Sequence, residues 1–203
     1  MKQVLVSLLF LNVLFCSFVT QAKITIDQAA PDFSLLSASG KKVALSDYKG
    51  KYVVLEWTNH QCPYVKKHYG SNNMQGLQKK YTAKDVVWLS VISSAPGKQG
   101  HVDAQKAKQL TEQRQAAPTH VLFDPDGVVG KTYGAKTTPH MYIIDPQGTL
   151  RYAGAIDSIK SANPADINSA DNYLDLGLSA LMAGKQVAQK LTAPYGCGVK
   201  YGS

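Results

Sequence analysis

The chain has 203 residues, carries a formal net charge of +8 at pH 7, and is 44% hydrophobic. This length is enough for one domain with a full core. The lysines are scattered, without a block of five or more like charges, so the charge favours solubility and gives no sign of a nucleic-acid partner. The cysteines are too few for a disulfide-rich scaffold, and any role that they have is local and chemical.

Residues 1–22 have the layout of a secretory signal peptide: a basic start, an apolar run and a small residue at the end. One alternative is a membrane anchor, but the run is shorter than the roughly 20 apolar residues that span a bilayer. The other is a lipoprotein site at Cys16, against which the bulky Phe15 argues. We predict cleavage after Ala22 and an exported domain over 23–203, periplasmic or secreted, with no membrane contact.

Strands and helices alternate along the rest of the chain. β-branched and aromatic runs indicate buried strands, while proline and glycine mark helix starts and turns. In the first half, the predicted elements are a hairpin over 31–48, a strand over 52–57, a helix over 63–80 weakened or broken by Gly70 and Gly76, a strand over 85–92 and a helix over 102–116.

The second half completes the pattern with a strand pair joined by a turn and a last amphipathic helix. Its predicted elements are a strand over 119–123, a helix over 128–133, strands over 140–144 and 149–156, and a helix over 171–183. The order predicts an α/β fold with a central mixed sheet and helices on both faces, which is a thioredoxin-like topology. From about residue 185 we expect an irregular tail.

Cys62 lies between the buried strand and the helix that opens at Pro63. A thiol there faces the positive end of the helix dipole and free backbone N–H groups, which favour the reactive thiolate. The dipole contributes at most about 2 kcal/mol, which lowers a pKa by less than roughly 1.5. Ionisation near neutral pH is therefore partial, and Lys66, His60 and His68 are the nearby cations that could increase it.

A second marker, Thr137-Thr138-Pro139-His140, directly precedes the strand over 140–144 and resembles the cis-proline turn of the thioredoxin superfamily. Further redoxin-like motifs are Ala30-Pro31-Asp32-Phe33-Ser34-Leu35, the segment from Val43 to Lys51, Phe123-Asp124-Pro125-Asp126-Gly127, and the segment from Tyr142 to Gly148. Together, over about residues 28–158, the chain resembles the alkyl hydroperoxide reductase and thiol-specific antioxidant family in its peroxiredoxin-like branch.

The resemblance implies a thiol-dependent oxidoreductase that needs no cofactor or metal. Its Cys62 thiolate would act on a peroxide or on a protein thiol or disulfide, and an external reductant would regenerate it. In the family, the cis-proline turn faces the cysteine and offers backbone groups to the incoming sulfur. The resemblance therefore places Thr138 and Pro139, together with Asn59 and Pro63 beside the cysteine, in the substrate-binding site.

The sequence also departs from the family pattern. Val65 stands where thioredoxins carry a second cysteine, so a disulfide within the motif is excluded. Asn59 stands where peroxiredoxins place a threonine, and Pro139 stands where they place an arginine. The groups that activate peroxide in the family are therefore largely absent, unless Asn59, Thr58 or Arg151 substitutes for them.

Cys197 is flanked by Gly196 and Gly198, which give the backbone conformational freedom. A mobile tail could bring it to oxidised Cys62 as a resolving cysteine. The alternatives are a structural disulfide between the two cysteines and a free thiol without a role.

Two other functions compete with a thiol enzyme. The first is a copper-carrying thioredoxin-fold module that uses Cys62 with His60 and His68, and with His140 after the cis-proline turn, since soft thiolates select Cu(I). The missing second cysteine argues against it. The second is a binding domain that keeps the fold without the chemistry, which the missing second cysteine favours.

Overall fold

The protein is described here from a computed structural model that covers residues 24–202. The predicted signal peptide and Cys16 lie outside the described residues. The strands are β1 (Ser34–Ser37), β2 (Lys42–Ala44), β3 (Val53–Trp57), β4 (Val87–Ile92), β5 (His120–Phe123), β6 (Thr137–Thr138), β7 (His140–Ile144), β8 (Leu150–Gly154) and β9 (Cys197–Gly198). The helices are α1 (Pro63–Gly70), α2 (Asn73–Thr82), α3 (Ala104–Gln113), α4 (Val128–Thr132) and α5 (Tyr173–Met182), with 3-10 turns at Leu45–Tyr48 and Pro164–Ser169.

Seven strands form one mixed sheet in the order β2-β1-β5-β4-β3-β7-β8. The central strands β3, β4 and β5 run parallel to one another. Strand β7 pairs antiparallel with β3, and β8 pairs antiparallel with β7. Trp57 at the end of β3 pairs with His140 at the start of β7. Because of this register, the loop after β3 and the turn before β7 meet at the same end of these two strands.

Side chains of the central strands alternate between two cores, as the pleat of a strand requires. Val54 and Trp88 pack on one face among residues of α1, α2 and α5. Leu55 and Leu89 pack on the other face, where α4 and the 3-10 turn at Leu45–Tyr48 lie. The predicted mixed sheet with helices on both faces is confirmed.

The helical stretch predicted over 63–80 is broken near its middle into two helices, α1 and α2. The helical conformation stops at Ser71 and Asn72, directly after Gly70, and Asn72 has a left-handed φ of 59°. The Ser71 hydroxyl donates to the carbonyl of Lys67 at 2.8 Å, which satisfies a group that the end of α1 leaves unpaired. Gly70 is the last residue of α1, whereas Gly76 lies within α2.

The tail returns to the end of the strands where the loop after β3 meets the turn before β7. Leu191 forms a bridge with Ala153, and β9 then pairs antiparallel with β6 in a separate two-stranded ladder. The tail is thus irregular over most of its length but ends in paired backbone. Within residues 24–202, no helix is both long and apolar enough to cross a bilayer.

Candidate active site

Cys62 is the residue immediately before the first turn of α1. Its backbone is extended (φ −69°, ψ 126°), and Pro63 occupies the first helical position. Proline is suited to this position because its fixed φ fits the helix and its missing N–H would have no partner there. The Cys62 carbonyl accepts from the N–H of Lys66 at 2.9 Å, so the cysteine is held at the positive end of the helix. Its side chain is fully buried.

The proline turn lies directly opposite the cysteine. The peptide bond between Thr138 and Pro139 is cis, and the Cys62 Sγ lies 3.1 Å from the Thr138 carbonyl oxygen. The structure therefore brings together Cys62, Pro63, Thr138 and Pro139, four of the residues that the sequence places in the site.

Cys197 covers this turn from the tail. In the ladder between β6 and β9, Cys197 is the partner of Thr138. Both cysteines are free thiols, with Cys62 buried and Cys197 half-buried, and Cys197 packs against the apolar cluster that contains Cys62. The tail strand thus lies against the turn that Cys62 contacts.

Gly196 makes the close approach of the tail possible. A Cβ atom at this position would lie 2.1 Å from the Thr138 carbonyl oxygen, and the residue has a φ of 139°. Both the contact and the backbone conformation exclude a side chain. This glycine therefore has a steric reason to precede Cys197.

Hydrogen bonds tune the two thiols in opposite directions. Burial works to raise the pKa of Cys62, but the Cys197 thiol and the backbone N–H groups of Val65 and Cys197 together lower it below its ordinary value. Burial, followed by the hydrogen bond and charge of Cys62, raises the pKa of Cys197 to about 11. The pair therefore favours a thiolate on Cys62 and a proton on Cys197.

The cations proposed from the sequence do not have that role. Lys66 is exposed, whereas its neighbour Lys67 is buried and pairs with Asp157. Burial lowers the pKa of His68 to about 4, and burial followed by the charge of Arg114 lowers that of His60. Neither imidazole is therefore charged near neutral pH, and Cys62 depends on the hydrogen bonds described above.

Asn59 orders the loop in front of the cysteine. Its side chain accepts from the N–H of Gln61 at 2.9 Å and donates to the carbonyl of Gln99 at 3.2 Å. It packs so closely against Gly100 that a Cβ there would lie 2.3 Å from the amide carbon. The predicted contact between Asn59 and a substrate stays a prediction, since both polar atoms of the side chain already serve this loop.

Arg151 is not placed to activate a peroxide. It pairs with Asp145 at 2.6 Å and with Asp27 at 2.8 Å. Residue 151 follows Leu150, the partner of Ile144, so it lies at the end of β7 remote from His140. The strand register therefore excludes the substitution by Arg151 that the sequence left open.

The histidines considered for copper have other partners. His68 is hydrogen-bonded to Asn73 at 2.8 Å and to Tyr195 at 3.3 Å. His140 is hydrogen-bonded to the Tyr142 hydroxyl at 3.1 Å, and burial lowers its pKa to about 3. In the part of the chain that the structure describes, no three His, Cys, Asp or Glu side chains are grouped to hold a metal.

A buried acid, Glu56, lies behind the site and was not among the residues predicted from the sequence. Glu56 in β3 has no solvent exposure and accepts hydrogen bonds from side chains of β4, α1 and α2. The donors are Tyr69 at 2.8 Å, Trp88 and Ser90 at 2.9 Å each, and Gln78 at 3.2 Å. The available signal was a single carboxylate within a continuous apolar strand, where an unpaired charge is not tolerated.

Comparison with known proteins agrees with this geometry. The AhpC/TSA family matches residues 26–153, which is more than half of the chain. The thioredoxin-like protein YneN of Bacillus subtilis is 31% identical over 129 residues, covering 61% of this chain and 68% of that protein. The thiol-disulfide oxidoreductase ResA of Bacillus thuringiensis is 28% identical over 133 residues, covering 66% of this chain and 71% of that protein.

A solved structure extends the similarity toward the tail. The crystal structure of an uncharacterized conserved protein from Geobacillus kaustophilus superposes with a TM-score of 0.76 at 26% identity, covering 88% of this chain and 93% of that one. The predicted fold, family and enzyme class are confirmed. The chain is therefore a thioredoxin-fold redoxin of the AhpC/TSA family and a thiol-dependent oxidoreductase.

Proposed function

We propose that the protein is an exported enzyme that oxidises and reduces one cysteine pair, Cys62 and Cys197. Cys62 is the thiol that meets the oxidising substrate, a peroxide or a protein disulfide, and Cys197 is the resolving cysteine. The observation that carries the proposal is that both cysteines meet the cis-proline turn at the same residue: Cys62 Sγ lies 3.1 Å from the Thr138 carbonyl oxygen, and Cys197 is the strand partner of Thr138. The signal-peptide layout of residues 1–22 supports export.

The chemistry of the pair follows from these positions. With a peroxide, the Cys62 thiolate attacks one oxygen, the O–O bond breaks, and an alcohol or water leaves after protonation. The Cys197 sulfur then attacks the sulfenic acid sulfur, an S–S bond forms, and water leaves. With a protein disulfide, Cys62 forms a mixed disulfide and Cys197 displaces the second substrate sulfur as a thiol. In both cases an external dithiol reductant returns the pair to two thiols.

Access to Cys62 distinguishes the two substrate classes. The thiol has no exposed surface while β9 is paired with β6, so a protein disulfide reaches it only when the tail lifts. A peroxide is small enough to need a lesser movement. We therefore expect hydrogen peroxide to oxidise the reduced protein faster than a cysteine-containing peptide disulfide at the same concentration.

The test exposes the reduced protein to each oxidant and follows intact mass and peptide mapping over time. The expected product is a Cys62–Cys197 disulfide, recognised by the loss of two hydrogens and reversed by a mild dithiol. A protein that is isolated with this disulfide already formed and resists mild reductant would contradict the resolving role. Persistence of both thiols under every oxidant would favour the binding domain without redox chemistry.

The pKa of Cys62 gives a separate prediction about Cys197. Since hydrogen bonds lower this pKa, alkylation of Cys62 should reach half its maximal rate at a lower pH than alkylation of an unperturbed thiol. Cys197→Ala removes a donor, while Cys197→Ser keeps a hydroxyl donor in a similar space. We expect a higher Cys62 pKa in the alanine variant than in the serine variant, measured from the pH dependence of iodoacetamide alkylation. Equal pKa values in the two variants would show that the side chain at position 197 does not tune Cys62.

A further inference from the structure

A buried polar cluster lies beneath the tail, away from the reacting sulfurs. It joins Lys67 of α1, Asp157 in the loop after β8, and Tyr195 of the tail. The Lys67 side chain is 0% exposed and that of Asp157 is 3% exposed. Burying an ion pair this deeply is costly unless every donor and acceptor is satisfied.

The ammonium group of Lys67 has three acceptors for its three protons. They are the carboxylate of Asp157 at 3.2 Å, the carbonyl of Ile159 at 3.3 Å and the hydroxyl of Tyr195 at 3.4 Å. The Tyr195 hydroxyl in turn donates to the other oxygen of Asp157, which also accepts from the N–H of Ile159 at 3.1 Å. The cluster is therefore fully connected through a residue of the tail.

His68 completes the network as a neutral ring. The side-chain amide of Asn73 lies 2.8 Å from Nδ1, which accepts from it. This leaves the proton on Nε2, which donates to the Tyr195 hydroxyl at 3.3 Å. The pKa of about 4 that burial gives His68 agrees with this neutral tautomer. The Tyr195 hydroxyl thus accepts from both Lys67 and His68 while it donates to Asp157.

The positions of these residues along the chain connect the cluster to the cysteines. Cys62 immediately precedes α1, which also carries Lys67 and His68. Tyr195 precedes Cys197 by two residues, with Gly196 between them. The two cysteine-bearing segments are thus attached to one buried set of hydrogen bonds, and Tyr195 is the only residue of the tail in this set among the residues described.

We propose that Tyr195 is a positioning residue, a latch that holds Cys197 over Cys62 and so sets the effective concentration of the one thiol at the other. The inference rests on the proposed function of the cysteine pair. In the reduced protein the latch orders the tail before any S–S bond exists. Closing the disulfide then costs less conformational entropy than it would from a free tail.

The test is the equilibrium between the protein and a glutathione buffer. One dithiol protein and one glutathione disulfide give one protein disulfide and two glutathione thiols, so atoms and electrons balance. After acid quenching and alkylation, mass spectrometry gives the fraction oxidised. We expect Tyr195→Phe, which keeps the ring against Tyr64 but loses the hydroxyl, to lower the equilibrium constant about tenfold, equivalent to about 1.4 kcal/mol.

A matched control separates positioning from general stability. The Tyr81 hydroxyl also donates to a carboxylate, that of Asp175 at 2.6 Å, but it joins α2 to α5 and not the tail. Tyr81→Phe should leave the glutathione equilibrium unchanged within about twofold, even if it lowers the melting temperature. An unchanged constant in Tyr195→Phe, with the wild type forming the disulfide, would overturn the latch.

Two further outcomes are decisive. If the wild-type protein itself forms no Cys62–Cys197 disulfide in this buffer, the proposed function fails before the latch is considered. If Tyr195→Phe does not fold, as judged by circular dichroism, Asp157→Asn takes its place, because a neutral amide oxygen accepts a weaker hydrogen bond from Tyr195 than the charged carboxylate does. A smaller fall in the same direction supports the latch, and no change in the constant overturns it.

Discussion

Cys62→Ser is expected to lose thiol-dependent turnover by more than about 1,000-fold, because a serine hydroxyl does not ionise near neutral pH and cannot form a disulfide. Serine keeps a hydroxyl that can donate to the Thr138 carbonyl, as the Cys62 thiol does at 3.1 Å. The start of α1 at Pro63 should therefore survive the substitution. The measurement is steady-state reduction of hydrogen peroxide, and separately of a peptide disulfide, by a dithiol.

The matched variant is Cys197→Ser, which separates the oxidation of Cys62 from the formation of the disulfide. It should still form one sulfenic acid on Cys62 with peroxide, trapped by a dimedone-type reagent, but no intramolecular disulfide. Cys62→Ser should give neither product. Turnover in Cys62→Ser above one tenth of the wild-type rate would contradict the assignment of Cys62 as the reacting thiol, whatever the behaviour of Cys197.

The position of Cys62 could be predicted because the signals around it are local. An apolar strand followed by a cysteine and a proline fixes a strand–helix junction. Thr138 and Pro139 come directly before another apolar strand, and the register of Trp57 with His140 brings the two features together. Residue patterns of a few positions were enough for both halves of this contact.

The burial of Lys67, next to the lysine that the sequence brought forward, could not be predicted in the same way. Adjacent helical residues point about 100° apart, so which of them is buried depends on what covers the helix. What covers Lys67 is Asp157, 90 residues further along the chain, and Tyr195, 128 residues further along. Nothing within α1 indicates either partner, so the buried lysine emerges only from the tertiary structure.

The position of Cys197 also depends on residues far away in the sequence, and no local pattern predicts it. A glycine-flanked cysteine fits a mobile segment that carries a resolving thiol, but it fits a structural disulfide or a free thiol as well. The two-residue pairing of β9 with β6 is too short to leave a strand pattern. A flexible tail and a close backbone contact both favour glycine at position 196. Only the structure, in which Gly196 lies against the Thr138 carbonyl, shows that the close contact is the reason.

Glu56→Ala is expected to lower the free energy of unfolding by about 3 kcal/mol or more, since it leaves buried donors without an acceptor, each costing about 1–3 kcal/mol. Three of these donors are the Tyr69 hydroxyl, the Trp88 indole and the Ser90 hydroxyl. Tyr69 belongs to α1, so the same change loosens the helix that holds Cys62. Urea denaturation of the reduced protein measures the loss.

Glu56→Gln is the matched control, because the amide keeps one acceptor oxygen in nearly the same volume. Its loss of stability should be smaller than that of the alanine variant. An equal loss in the two variants would contradict the role of Glu56 as the shared acceptor, and so would an alanine variant whose free energy of unfolding lies within about 1 kcal/mol of wild type.

The amide variant also isolates a pH effect. Burial raises the pKa of Glu56 in the folded protein, against the opposing hydrogen bonds from Trp88, Tyr69 and Ser90.

A raised pKa in the folded state means that the folded protein binds more protons at Glu56 than the unfolded chain does. The stability from this group is therefore complete below the unfolded value of about 4.3 and is lost as pH rises toward the folded pKa. Glu56→Gln cannot ionise, so the stability of the wild type relative to this variant should fall as pH increases over that interval. A relative stability that rises with pH would show that the four hydrogen bonds hold Glu56 as a carboxylate, with a pKa below its ordinary value.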